Sequence, residues 1–76
     1  MTTAVDLAAA WGLWDRHPAD PRRVADLEQA VAAWAAERGV TTTAARLTLT
    51  DARRRLTDGG PLSPAEYRRI IEEAAA

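Results

Sequence analysis

Arginine and threonine side chains are concentrated in the middle of this sequence, where they could contact phosphates or the edges of bases. Residues 38–57 carry five arginines against one aspartate, a net charge of +4, between flanks of net charge −3 (1–37) and −2 (58–76). Guanidinium and hydroxyl groups are the types that hydrogen-bond to phosphates and bases. The candidate nucleic-acid-binding residues are therefore Thr41, Thr42, Thr43, Arg46, Arg53, Arg54 and Arg55.

Residues for covalent or acid–base chemistry are scarce. The chain has one histidine (His17), one serine (Ser63) and no cysteine. A nucleophilic triad cannot be assembled from this set, and a zinc site needs a cluster of ligands that Asp15, His17 and Asp20 do not supply. The sequence predicts a protein that is not an enzyme and that has no cofactor, no metal site and no small-molecule substrate.

The tryptophans offer a different chemistry, namely a flat apolar surface for a partner. Trp11 and Trp14 are three residues apart and so share one face of a helix, and Trp34 follows on the next helix. Tryptophans at helical spacing belong more often to a core, but outward-facing tryptophans anchor protein interfaces. Trp11 and Trp14 are therefore the candidate partner-binding residues.

Composition and charge indicate a cytoplasmic protein. Without cysteine there is no disulfide framework. No apolar run approaches the ~20 residues of a membrane span, and Asp6 interrupts the stretch that a signal peptide would keep apolar. We therefore expect no membrane interaction. All basic residues are arginines, which is typical of a GC-rich bacterial or phage genome.

Helix boundaries are marked by capping residues at several points. A first helix is expected from about Ala4 to Arg16, with Thr3 as its N-cap. A second begins at Pro21 after the N-cap Asp20 and ends at Gly39. Its apolar stripe consists of Val24, Leu27, Val31 and Trp34.

The last helix begins with Ser63-Pro64-Ala65-Glu66, a capping box with proline at the first helical position. A turn at residues 58–61 precedes it. The face expected to be buried consists of Tyr67, Ile70, Ile71 and Ala74.

The segment between these helices has more than one interpretation. A continuous helix over residues 43–57 places Leu47 opposite the stripe formed by Ala45, Leu49, Ala52 and Leu56. A break near residues 48–50 is the alternative, because threonine lowers helix propensity and Thr50 could cap a short helix. A strand is disfavoured, because no second strand is available to pair with it.

Residues 35–41 resemble the middle of a helix-turn-helix motif, and the resemblance covers residues 31–57. A small residue, Ala35, precedes Gly39 by four positions, and Val40 and Thr41 follow. The resemblance implies a left-handed turn at Gly39, a buried Val40 and a recognition helix that starts at Thr41–Thr43. Ala45 departs from the class, which usually has a branched residue there. On a continuous helix, Arg46 and Arg53 would face one DNA groove, with Arg54 and Arg55 on phosphates.

The expected fold is all-α: a single small helical domain (1–76) of four to five short helices with a helix-turn-helix-like corner near Gly39. Two functions compete. One is a DNA-binding module that acts as a small regulator or recombination accessory factor. The other is a protein-interaction or assembly adaptor, antitoxin-like or phage-assembly-like. Half of the hydrophobic residues are alanine, so the core is thin and a homo-oligomer or heteromer is expected. A third outcome for the arginines is pairing with the chain's own acidic flanks.

Overall fold

The computed structural model describes residues 3–57 and 62–75, and these residues form four helices and no strand. The helices are α1 (Thr3–Arg16), α2 (Pro21–Arg38), α3 (Thr42–Leu56) and α4 (Pro64–Ala75). The all-α fold and the expected helix number are confirmed. The turn expected at residues 58–61 lies outside the described residues.

The helices form a ring in chain order. Each helix packs against the next, and α4 closes the ring against α1. Within the described residues, the diagonal pairs α1/α3 and α2/α4 have no backbone contact. The Thr3 hydroxyl at the start of α1 donates to Glu37 at the end of α2, so these neighbours run antiparallel. Thr3 therefore lies inside α1 and ties it to α2, whereas the sequence suggested a cap outside the helix.

The ends of α2 follow from their capping residues. Asp20 Oδ1 accepts the backbone N–H of Arg22 at 2.9 Å, and Pro21 occupies the first helical position. At the other end Gly39 has φ 71°, the left-handed region that favours glycine. Its N–H donates to the carbonyl of Ala36, and the N–H of Val40 donates to that of Ala35. This pair of bonds is a Schellman motif, which satisfies carbonyls that the helix leaves open.

The link from α2 to α3 is short, and its side chains differ partly from expectation. Thr41 Oγ1 accepts the N–H of Ala44 at 3.1 Å and caps α3. Ala35 and Ala45 are buried at 1% exposure, so alanine serves as a core residue on both sides of the link. The expectation that Val40 is buried is wrong, since its side chain is 43% exposed. Val40 lies past the end of α2, beyond the last residues that reach the core.

The middle segment is one helix, which decides between the interpretations left open above. Ala45, Leu49 and Ala52 face the core, and Leu47 on the opposite side is 66% exposed. Thr48 Oγ1 donates to the carbonyl of Ala44 at 2.8 Å, so its hydroxyl is satisfied within the helix. Burial of the apolar stripe outweighs the low helix propensity of the threonines.

The core lies at the centre of the ring and collects one stripe from each helix. The buried face expected for α4 is confirmed, and the capping box at its start is formed in both directions between Ser63 and Glu66. Trp14 is only half-buried at the edge of the core. The large buried side chains are Leu7, Trp11, Val31, Trp34, Leu49, Leu62, Tyr67, Ile70 and Ile71.

None of the described helices combines the length and the apolar character needed to cross a membrane.

Candidate functional site

Arg53 lies in a polar cluster that joins α1, α3 and α4. Its Nη1 and Nη2 atoms lie 3.1 and 2.9 Å from the two carboxylate oxygens of Asp15. The Tyr67 hydroxyl donates to the same carboxylate. The guanidinium also lies 5.6 Å from the ring centre of Trp11 and 5.9 Å from that of Tyr67, within the range of cation–π attraction. We call Asp15, Arg53 and Tyr67 the clasp.

The clasp is mostly shielded from water. The side chains of Arg53 and Asp15 are 22% and 14% exposed. Burial, followed by the hydrogen bond to Asp15 and its negative charge, raises the pKa of Tyr67 to about 12. Tyr67 therefore stays a hydrogen-bond donor at any ordinary pH. Arg53, expected on a DNA-facing surface with Arg46, instead has its hydrogen-bonding edge occupied by an acid of the N-terminal flank.

The other arginines of the basic segment have separate environments. Arg55 Nε lies 3.3 Å from Asp51 on the same helix, and both side chains are about 60% exposed. Arg38 lies 5.0 Å from the Trp34 ring centre and donates to the carbonyl of Ala75 at 3.2 Å. Arg46 and Arg54 are exposed and have no ion pair or hydrogen bond from their side chains to other described residues. The free positive charge of α3 is therefore smaller than the sequence suggested.

The solvent-facing side of α3 carries the rest of the candidate DNA-binding set. Thr43 and Arg54 of that set lie opposite the core stripe, together with Leu47, and Thr50 lies at the border of this side towards Arg46; all four residues are exposed. Thr42 is also exposed in the first turn, and Thr41 caps the helix. Arg46 projects from the side of α3 that faces α1 and α2.

An apolar groove opens between α1, α2 and α3, and we call it the α1–α2–α3 groove. Its volume is about 250 Å³. It exists because the diagonal helices α1 and α3 leave the N-terminal half of α2 partly uncovered, so that Val24 and Leu27 are only half-buried. The lining residues are Leu7, Trp11, Trp14, Val24, Leu27, Glu28, Val31, Arg46, Leu49 and Thr50.

Several polar groups line this groove without an ion pair or hydrogen bond to another described residue. Glu28 on α2 and Arg46 on α3 line it from two different helices without forming an ion pair with each other. The indole N–H of Trp14 has no acceptor among the described residues. Among the described residues, the groove thus combines apolar walls with one acid, one base and the unused indole N–H of Trp14. It brings together Trp11, Trp14 and Arg46, which the sequence had placed in two different candidate sites.

Sequence reasoning did not find the groove as a site. Val24 and Leu27 fit the apolar stripe of α2. Their spacing does not show that α1 and α3 are too far apart to cover both side chains completely. The only signal was the pairing of two tryptophans on one face of α1. In the described part of the chain, no group of three His, Cys, Asp or Glu residues is placed to hold a metal ion. Comparisons with family models, with curated proteins and with solved structures gave no match.

Proposed function

We propose that this protein is a small helical protein-interaction module whose α1–α2–α3 groove binds an amphipathic helical segment of another protein. The observation that carries the proposal is the groove itself. Its apolar walls include the half-buried Trp14, and at its edge the charged groups Glu28 and Arg46 have no ion pair with any described residue. Central apolar anchors surrounded by polar groups are the usual anatomy of a protein-binding surface.

The size of the groove favours side chains of a partner over a free small molecule. At about 250 Å³ it is smaller than the roughly 300–1,000 Å³ typical of small-molecule sites. Its floor runs from Val24 to Val31, a rise of about 10 Å at 1.5 Å per residue. That length accommodates two anchor side chains one turn apart on a helix. The partner segment should carry a basic residue for Glu28 and an acidic one for Arg46.

A selection experiment tests the proposal without a known partner. Peptides selected from a displayed library of amphipathic helices would be titrated by calorimetry into wild type and groove variants. Because Trp14 supplies apolar wall and Arg46 supplies charge, we expect Trp14→Ala and Arg46→Glu each to weaken binding about tenfold or more. Leu47→Ala, an exposed position on the far side of α3, is the matched control. Equal affinity for wild type and both groove variants would refute the proposal.

DNA binding by a helix-turn-helix-like corner is the second candidate function. It is favoured by the outer face of α3, where Thr43, Thr50 and Arg54 are exposed on a continuous capped helix and Arg46 lies beside them. The Schellman turn at Gly39 and the cap at Thr41 suit a recognition helix that starts after a short turn. The occupied Arg53 and the acidic flanks make this the weaker proposal.

Anisotropy titrations with labelled duplex DNA distinguish the two functions. If Arg46, Arg54 and Arg55 each neutralise one phosphate, affinity should fall about 40-fold between 50 and 200 mM salt, from a slope of about −2.7. Arg54→Ala should reduce both the affinity and that slope. Absence of binding at low salt would exclude the DNA-binding function and leave the groove proposal untouched.

A further inference from the structure

The outer face of α1 carries large apolar side chains that the rest of the described chain covers only in part. Val5 is 47% exposed and Leu13 is 37% exposed. With Ala9 between them they recur every four residues, so they form one stripe along the helix. This stripe lies on the opposite side of α1 from Leu7, Trp11 and Trp14. It is therefore separate from the α1–α2–α3 groove.

The stripe forms one wall of a shallow depression between α1 and α4, with a volume of about 360 Å³. Its floor consists of Ala8, Gly12 and the ring of Tyr67, which packs against Gly12, and Leu62 just before α4 and Pro64 at its start line it as well. We call the stripe and this depression together the α1–α4 patch.

The charges around the α1–α4 patch are separated into two ends. Arg16 and Arg68 line its end near the C-terminus of α1. Asp6 lies in the first turn of α1, ten residues and about 15 Å from Arg16. Glu72 lies one turn after Arg68, on the same face of α4 and towards that acidic end. Within the described residues, none of these four side chains forms an ion pair or hydrogen bond with another.

A surface that is basic at one end and acidic at the other is complementary to itself when two copies meet antiparallel. A two-fold axis across the middle of α1 places Asp6 of each copy opposite Arg16 of the other. In the same register Leu13 lies over Ala9 of the second copy, so a large side chain meets a small one. We propose that the α1–α4 patch is a symmetric dimer interface, and that its occupant is a second copy of this chain.

The size of the patch sets the expected strength of the dimer. The stripe from Val5 to Arg16 is about 16 Å long, and two helices each about 10 Å wide border it. The area buried is then roughly 300–400 Å² per copy, below the ~800 Å² of a standard interface. The dimer should therefore be weak and concentration-dependent, with a dissociation constant of about 10 μM to 1 mM.

Analytical ultracentrifugation across that concentration range tests the interface. Leu13→Glu should weaken dimerisation at least tenfold, because it puts a charge into the apolar stripe. Leu47→Glu makes the same change at a more exposed leucine on α3 and should leave dimerisation unchanged. Circular dichroism melts would show that both variants are folded. A wild type that stays monomeric at 1 mM, or a Leu13→Glu variant that dimerises like the wild type, would overturn the proposal.

Exchanging the charges of Asp6 and Arg16 distinguishes a lost interface contact from a loss of fold stability. Asp6→Arg alone places two arginines opposite each other, and Arg16→Asp alone places two aspartates opposite each other. Each variant should dimerise several-fold more weakly than wild type. An equimolar mixture of the two restores both opposite-charge pairs and should dimerise about as well as wild type. A mixture no more dimeric than its components would refute the antiparallel register and with it the interface.

Discussion

Replacing Asp15 with asparagine removes the negative charge from the clasp while keeping the size and shape of the side chain. Arg53 then faces a neutral group, and its guanidinium is only partly hydrated because the side chain is 22% exposed. A hydrogen bond to a charged group contributes about 1.5–3 kcal/mol. Breaking a fully buried ion pair costs about 3–5 kcal/mol, which sets the upper limit.

Two features of the site reduce the expected cost. Water can still reach part of Arg53, and Asp15 lies in the last turn of α1, where a negative charge is unfavourable by about 0.3–1 kcal/mol. We therefore expect Asp15→Asn to lower the free energy of unfolding by about 2 kcal/mol. In a domain of this size the corresponding fall in Tm is roughly 8–16 °C.

Guanidinium unfolding followed by far-ultraviolet circular dichroism measures this cost. Asp51→Asn is the matched control, because Asp51 pairs with Arg55 on the same helix but both side chains are about 60% exposed. An exposed pair of this kind contributes at most about 0.5 kcal/mol. If Asp15→Asn costs no more than Asp51→Asn, the reasoning that the clasp stabilises the fold is refuted.

Three further predictions follow from local geometry. Tyr67 is the only tyrosine, so tyrosinate absorbance should titrate near pH 12 in the folded protein and near pH 10 in urea. Because its folded pKa is raised, the stability that Tyr67 contributes is present below pH 10 and is lost as pH rises towards 12. Tyr67→Phe should remove this loss, so a variant whose free energy of unfolding falls over that pH range as in the wild type would contradict the prediction. Gly39→Ala should cost about 1–2 kcal/mol in chemical unfolding from backbone strain alone, since φ is 71° and no atom of the described residues lies within 4 Å of the added Cβ. The backbone N–H of Ser63, and after it the Ser63 side chain, hold the pKa of Glu66 below its usual value. Ser63→Ala keeps the backbone bond and removes the side-chain one, so it should raise that pKa part of the way in an NMR titration; an unchanged pKa would show that the Ser63 hydroxyl does not contribute.

Helix ends were predictable where the deciding residues are neighbours in sequence. Asp20, Pro21 and Gly39 mark α2 because caps depend on groups within a few residues, and the structure has these ends. The continuity of α3 was not decided in advance. The low helix propensity of the threonines near Thr48 favoured a broken helix. Packing of the apolar stripe against α2 and α4 makes the continuous helix the more stable of the two structures.

The clasp and the groove depend on contacts that no local pattern contains. Arg53 is 38 residues from Asp15, and Tyr67 is 52 residues from it. The charge distribution allowed the arginines to pair with the acidic flanks, and Arg53 does so. It could not show which arginine would pair. That choice depends on the packing of the helices, which brings Asp15 at the end of α1 within hydrogen-bonding distance of Arg53 on α3.

The three tryptophans lie in three different electronic environments, and this gives the protein a set of intrinsic optical probes. Trp11 lies 5.5 Å from Tyr67 between ring centres and near Arg53, so its emission reports the integrity of the clasp. Trp34 lies beneath Arg38 and reports the end of the bundle where α2 and α4 finish. Trp14 is half-buried and its indole N–H has no acceptor in the part of the chain that the structure describes, so the polarity of its surroundings would change if the groove were filled. Single-tryptophan variants would thus separate unfolding, end fraying and ligand occupancy in one spectrum without any added dye.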